Sequence, residues 1–390
     1  MQLWLHRLMH QGPSTKAPSL SSMPDKERHY RPQVFYPGAD FSPGTRPLSW
    51  KGTCRRTVSL RRTGVPKPTS LYSFRAGTKW KTRQERSGAS SSQLLYRGLR
   101  AEIVMKSYEM GNVARDIAAA EPPPHSVAMW WLGQASIALR GAGTTLYIDP
   151  FFSDNPDRLV PPPFAPTMAA PADYVLCTHE HVDHFDPQTL PGLAQASPHA
   201  RFVVPLPVVE QTRALGIAPE RVVGIQPGEV VQLGAVTLFS VPACHGLKAP
   251  LATYDFGFVE REGKNLYSFL GYILEIGGVR IYHAGDTVIF DGLVERLREL
   301  EIDLAFLPIN GRSYFREQRN IVGNIDEREA ADLAAAAGVK LLVPIHYEMF
   351  AANQGRPGAL VDYVQARYPQ LSCLIPAHGR RFTFTKGDGR

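Results

Sequence analysis

The chain has little cysteine and no long apolar run. Its four cysteines, Cys54, Cys177, Cys244 and Cys373, stand far apart with no C-x-x-C pair. That spacing excludes a disulfide framework and a thiolate zinc knuckle, and fits a reducing, cytoplasmic setting. No window reaches the roughly 18 uncharged apolar residues of a membrane span. The apolar start MQLWLHRLM is broken by His6 and Arg7 with no cleavage site behind it, so neither a spanning nor a secreted protein is expected. Acidic residues are scarce in one part only. Residues 1–104 hold 19 Lys and Arg against 5 Asp and Glu, a net of +14, whereas residues 105–390 hold 24 against 31, a net of −7. The excess of +7 over the whole chain therefore belongs to the leader. The remainder lacks the basic face that nucleic-acid binding calls for, and no exposed apolar helix suggests action at a membrane.

Residues 1–104 are rich in Ser, Arg, Pro, Gly and Thr and show neither helical nor strand periodicity, which reads as a disordered basic leader. Three identities compete for it: an arm touching nucleic acid or membrane, a transit peptide, or translated sequence upstream of the true start, since Met105 and Met110 stand just before the patterned region. Residues 105–390 form the folding unit. The runs VAMWWLG, SIALRG and TTLYIDP predict two hairpins, and DYVLCTH predicts a buried strand after a Pro-rich loop. FLGYILEI and VRIYHAGDT flank a Gly277-Gly278 turn, a strong hairpin signal. Helices are predicted over Leu206–Leu215, Phe290–Leu300 and Asp326–Ala337, the last with Asp326 as N-cap, Glu329 at the capping-box position and Gly338 as its stop. Hairpins combined with strands alternating with helices imply one α/β domain of about 265 residues, two mixed sheets with helices outside.

The chemistry is concentrated in THEHVDHFD, which sets His179, His181, Asp183 and His184 within six residues directly after a buried strand. Three imidazoles and a carboxylate at that point have little packing purpose, and such a loop can ligate two cations. A lone histidine after a strand is more often a satisfied core or surface residue, so His245, Asp286 and His346, each after an apolar run, are weak signals individually.

The motif resembles that of the metallo-β-lactamase fold superfamily, which implies an αββα sandwich. By that resemblance His179, His181 and His245 hold one metal, Asp183, His184 and His346 a second, and Asp286 bridges them. His283 is read as packing or as a support to the ligands. Imidazoles and carboxylates without thiolate suit two divalent ions, Zn2+ or Mn2+, with Fe2+ also compatible. A divalent cation can lower the pKa of a bound water from about 15.7 to about 7, so hydrolysis is the default reaction. Asp183 would also carry a proton toward the leaving oxygen.

Within the superfamily the chain resembles the L-ascorbate-6-phosphate lactonase family, through VAMWWLGQASIAL, THEHVDHFDP, GYILEIGGVRIYHAGDT, LPINGRSYFR, GNIDEREAADL and PIHYEMFAANQG. The resemblance implies a small phosphorylated sugar lactone as substrate, opened by attack on its ester carbonyl. Asn310, Arg312, Tyr314, Arg316, Arg319, Asn320 and Asn324 offer groups that would bind a sugar phosphate; a solvated loop is the plain alternative. Tyr347, Glu348 and Asn353 either line the pocket mouth or cap the next helix. Trp130 and Trp131 read as alternating core residues, and His378 is left unassigned. The rival functions are a metal-dependent phosphodiesterase of nuclease or phospholipase D type and a noncatalytic metal-binding scaffold. A homo-oligomer is compatible with all three.

Overall fold

The computed structural model describes residues 112–248, 253–319 and 321–387. The leader assigned to residues 1–104, and Asn320, lie outside the described residues.

The first sheet opens with an antiparallel meander, β1 (Ser126–Trp131), β2 (Ile137–Gly141) and β3 (Thr144–Ile148). It continues in parallel with β4 (Tyr174–Leu176), β5 (Arg201–Pro205) and β6 (Val222–Ile225). Along β1, Val127, Met129 and Trp131 enter one buried cluster and Ala128 and Trp130 another, because side chains alternate across a strand and both faces are covered. The first cluster is the interior between two sheets. The second lies under α1 (residues 112–119), α2 (Thr189–Ala196) and α3 (Val209–Ala214), which contribute Ile117, Leu190, Leu193 and Val209. Each large apolar side chain buried this way contributes on the order of 2 kcal/mol, far more than the propensity of any of these short helices.

The second sheet begins with β7 (Val230–Leu233) and β8 (Val236–Pro242). Two ribbons come next, β9 (Leu247–Lys248) with β10 (Thr253–Tyr254) and β11 (Phe258–Arg261) with β12 (Lys264–Tyr267). The sheet then adds β13 (Leu270–Ile276), β14 (Val279–His283), β15 (Leu304–Pro308), β16 (Leu341–Ile345) and β17 (Ser372–Cys373) in the order β17-β16-β15-β14-β13-β8-β7. Strand β18 (Arg381–Thr385) crosses back to pair with β1, completing the order β18-β1-β2-β3-β4-β5-β6 in the first sheet. The later helices are α4 (Leu293–Glu299), the single turn α5 (Tyr314–Glu317), α6 (Glu327–Ala337) and α7 (Pro357–Arg367). Leu293 and Leu297 of α4, Leu333 of α6 and Leu360 of α7 join the core of the second sheet. The result is the expected helix–sheet–sheet–helix sandwich.

Local rules account for several boundaries. Gly277 and Gly278 both have positive φ, 57° and 84°, and Ile276 faces Val279 across them, the two-residue turn whose twist matches a hairpin. Helix α6 starts in a complete capping box of Asp326 and Glu329 and ends at Gly338 with φ 75°. The helix predicted from Phe290 begins only at Leu293, because Gly292 sits at φ 92°, outside helical space. The stretch predicted from Leu206 opens with a 3-10 turn over Leu206–Val208 containing Pro207 and becomes α-helical at Val209. Among the described residues no helix is long and apolar enough to cross a membrane.

In both sheets the parallel strands deliver their carboxyl ends to one edge, where open α/β sheets place their functional loops. The sheets are stitched together there: the Tyr272 hydroxyl donates to Cys177 O at 2.6 Å and Leu270 N–H to Thr178 O at 3.0 Å.

Candidate metal centre

Asp149 directly follows β3, and Cys177, Thr178 and His179 directly follow β4. Asp149 is fully buried and organises the histidine-rich loop after β4. One of its carboxylate oxygens accepts the Thr178 backbone N–H at 2.7 Å; the other accepts the Thr178 hydroxyl at 2.7 Å and His184 Nδ1 at 2.7 Å. A carboxylate can only accept, so His184 carries its proton on Nδ1 and turns Nε2 toward the centre of the cluster. The Thr178 hydroxyl, its one proton spent on Asp149, accepts from His179 Nδ1 at 3.0 Å and turns His179 Nε2 toward the centre, where it lies 3.0 Å from His181 Nδ1. The loop closes tightly, with the N–H groups of His184 and Phe185 both bonded to His181 O.

The other donors arrive from the second sheet. His245 follows β8, Asp286 follows β14 and His346 follows β16. The loops carrying the first two are tied to each other, Cys244 N–H donating to Thr287 Oγ1 at 3.1 Å and Val288 N–H to Cys244 O at 2.7 Å. Gly285 is required beside Asp286: its φ is 59°, and a Cβ there would come within 2.9 Å of Leu270 O and Thr178 Oγ1. Gln134, Asp149 and His346 adopt φ of 52°, 47° and 58°, left-handed conformations that a non-glycine residue holds only where its surroundings enforce them.

All seven side chains singled out in the sequence come together. The donor atoms of His179, His181 and His245 lie within 4.8 Å of one another, as do those of Asp183, His184 and His346, and those of His179, His184 and Asp286. Asp286 spans the cluster, Oδ2 standing 3.1 Å from His245 Nε2 and Oδ1 3.2 Å from His184 Nε2 and 3.3 Å from His346 Nε2. Asp183 Oδ2 is 3.3 Å from His346 Nε2. His184 Nε2 and Asp286 Oδ1 are buried without a hydrogen-bond partner although they face each other at 3.2 Å. Such a pair is costly unless positive charge lies between the two atoms, supplied by a bound cation or by a second proton on His184. The donor set, imidazole and carboxylate without thiolate, suits Zn2+ or Mn2+.

The electrostatics point the same way. Burial holds His179 and His181 below the ordinary imidazole range, so both present lone pairs. Burial would also depress His184 and His346, but Asp286, with Asp183 adding to it, outweighs that effect and raises both. Burial opposes the charge of Asp183 and Asp286, yet His184 and His346 hold both carboxyls well below their usual range. The cluster is thus built to hold positive charge. Cys177 and Cys244 stand beside it but point into the core; burial raises both thiols, Cys244 to about 11, and its Sγ donates to Gly246 O at 3.1 Å.

The other candidates occupy different positions. His283 is buried and satisfied, Nε2 to Ala135 O at 2.8 Å and Nδ1 accepting from Gly285 N–H at 3.2 Å. Tyr347 is buried and stacks on Trp131 at 5.0 Å, and Trp130 donates to Asp116 at 2.8 Å. The loop after β15 forms its own network. Arg312 is paired with Glu329 at 2.7 Å, Arg316 donates to Asn353 Oδ1 at 2.8 Å, and Asn310 bonds both Asn353 and Asn324. Tyr314 is exposed. This loop joins the centre through Ile325 N–H, which donates to Thr287 O at 3.0 Å. Sequence reasoning missed Asp149, Thr178 and Gln134. Asp149 left a faint signal, an acid closing the apolar run TTLYI directly before a proline.

Fold and site together define an αββα protein with a histidine–carboxylate cluster able to hold metal at the carboxyl ends of its strands. A family model described as the β-lactamase superfamily domain matches residues 144–347, just over half of the chain, and the chain belongs to that superfamily. It groups there with metal-dependent hydrolases: it is 30% identical to one from Rubrobacter xylanophilus over 58% of this chain and 84% of that one, and 28% identical to one from Myxococcus xanthus over 69% and 88%. The fold is shared with Igni18, a metallo hydrolase from the archaeon Ignicoccus hospitalis, at TM-score 0.53 and 21% identity, covering 67% of this chain and all of that one. These relatives support the superfamily and stop short of the lactonase family within it.

Proposed function

We propose that the chain is a dinuclear metal-dependent hydrolase that opens a phosphorylated sugar lactone of the L-ascorbate 6-phosphate type. The observation that carries the metal reading is the orphaned pair, His184 Nε2 facing Asp286 Oδ1 inside a ring of further donors. His179, His181 and His245 would hold one ion, Asp183, His184 and His346 the other, with Asp286 shared. Such ions supply an activated solvent nucleophile and polarise the ester carbonyl. Asp183 is the more exposed of the two central carboxylates, 18% against 6% for Asp286. It is therefore placed to take the proton shed by the attacking water and return it to the leaving oxygen.

Arg316 is the group we assign to the phosphate. Arg312 has spent its charge on Glu329, whereas Arg316 forms no ion pair among the described residues and is held by the neutral Asn353. A guanidinium fixed but not neutralised can take phosphate oxygens in a forked geometry.

The test uses the full chain, stripped of metal by a chelator and reloaded with Mn2+ or Zn2+. Two ions per chain and ring opening of L-ascorbate 6-phosphate above the blank rate are expected. Turnover of bis(p-nitrophenyl) phosphate without lactone opening would replace the substrate reading by phosphodiester cleavage. Fewer than one tightly held ion per chain would remove the hydrolase reading altogether.

A further inference from the structure

Gln134, in the turn between β1 and β2, reaches two of the seven donors with its side chain. Its carboxamide Nε2 is 2.8 Å from Asp183 Oδ2 and 3.0 Å from His346 Nε2. A carboxylate oxygen only accepts, so the atom facing Asp183 is the NH2 group. The residue itself is clamped. Its backbone N–H donates to Glu348 Oε1 at 2.8 Å, and its backbone carbonyl accepts the His346 N–H at 2.9 Å and Trp131 Nε1–H at 3.0 Å. These three bonds enforce the left-handed φ of 52° that aims the side chain inward. His346, whose own φ is 58°, is tied by the same peptide. One residue therefore sets both the backbone of His346 and the carboxylate of Asp183, two members of a single half of the centre. Among the described residues no hydrogen bond links Gln134 to His179, His181 or His245.

We infer that Gln134, held by Glu348, is a positioning residue for the Asp183–His184–His346 half of the centre, and that it governs the second ion while leaving the first untouched. The chemistry suits that task. A carboxamide offers two N–H donors without a charge, so it can fix one lone pair of Asp183 and leave another for a cation. A glutamate in its place would repel Asp183, and a lysine would repel the ion. The inference rests on the two-ion reading of the centre.

The experiment is a calorimetric titration of the full metal-free chain with Zn2+ alone, repeated with Mn2+, for wild type, Gln134→Ala, Glu348→Ala and Glu348→Gln. Thermal unfolding of each metal-free protein checks the fold. Wild type should bind two ions. Gln134→Ala should weaken one of them by about tenfold to a hundredfold, the usual effect of losing a group that orients a ligand, and leave the other within about twofold. Glu348→Ala should weaken the same ion, and Glu348→Gln, which keeps an oxygen acceptor for the Gln134 N–H, should restore it. Equal weakening of both ions, no weakening, or failure of Glu348→Gln to rescue would overturn the inference. Wild type binding fewer than two ions would instead defeat the two-ion reading beneath it.

Discussion

The centre and the arginine-bearing loop after β15 lie side by side, joined through Ile325 and Thr287, and both are dense in polar groups. They differ in what has been left unsatisfied. In the loop the polar side chains are tied to one another, Arg312 to Glu329, Arg316 to Asn353, and Asn310 to Asn353 and Asn324, with the charge of Arg316 unneutralised and Asn324 Oδ1 buried without a partner. In the centre the outward nitrogens of His184 and His179 are satisfied by Asp149 and Thr178, while His184 Nε2 and Asp286 Oδ1 on the inner side are buried without a partner. A charge paired within the chain, as Arg312 is, serves architecture. A polar network that closes on its outer side and stays open on its inner side is a receptacle.

Four substitutions break or sharpen that contrast. The largest effect is expected from His181→Ala, which removes one inward imidazole: hydrolysis should fall below about one per cent of wild type, with urea unfolding displaced by less than about 1 kcal/mol because the loop side chain is partly exposed. Retained turnover would take His181 out of the ligand set. Next is Asp149→Ala, which strips the acceptor from His184, from the Thr178 hydroxyl and from the Thr178 N–H together. Metal affinity should drop about tenfold to a hundredfold, and stability by about 3 kcal/mol; an unchanged binding isotherm would mean that His184 is oriented by something else. The smallest effects lie in the loop. Arg316→Ala should raise KM about tenfold, roughly 1.4 kcal/mol, with kcat retained, whereas Arg312→Ala should leave KM alone and cost less than about 1 kcal/mol of stability through the lost Glu329 pair. The reverse ranking of the two KM values would move phosphate binding to Arg312.

The same contrast explains what was legible in the sequence. THEHVDHFD could be read because its residues are contiguous and chemically improbable as packing. His245, Asp286 and His346 could be read once that motif fixed the family resemblance. Gln134 could not: its contacts reach 49 and 212 positions along the chain, and a glutamine in a turn is ordinary until the fold brings Asp183 and His346 to it. The arginines were visible as charges, but only the fold shows that Arg312 is neutralised by a glutamate 17 residues on. At the level of fold, the double-glycine turn and the capping box were local and legible. The pairing of β18 with β1 joins Ser126 to Thr385, a contact that no local pattern encodes.

The two cysteines beside the centre have a consequence of their own. Cys177 and Cys244 precede histidine-bearing loops, yet both are sealed in the interior with raised thiol pKa values. Peroxide or a soft heavy metal that reaches the cluster therefore meets imidazole and carboxylate, and neither of these two cysteines offers it a ready thiolate. If the centre holds metal as proposed, activity lost to peroxide would be restored by resupplying the ion and not by reductant alone.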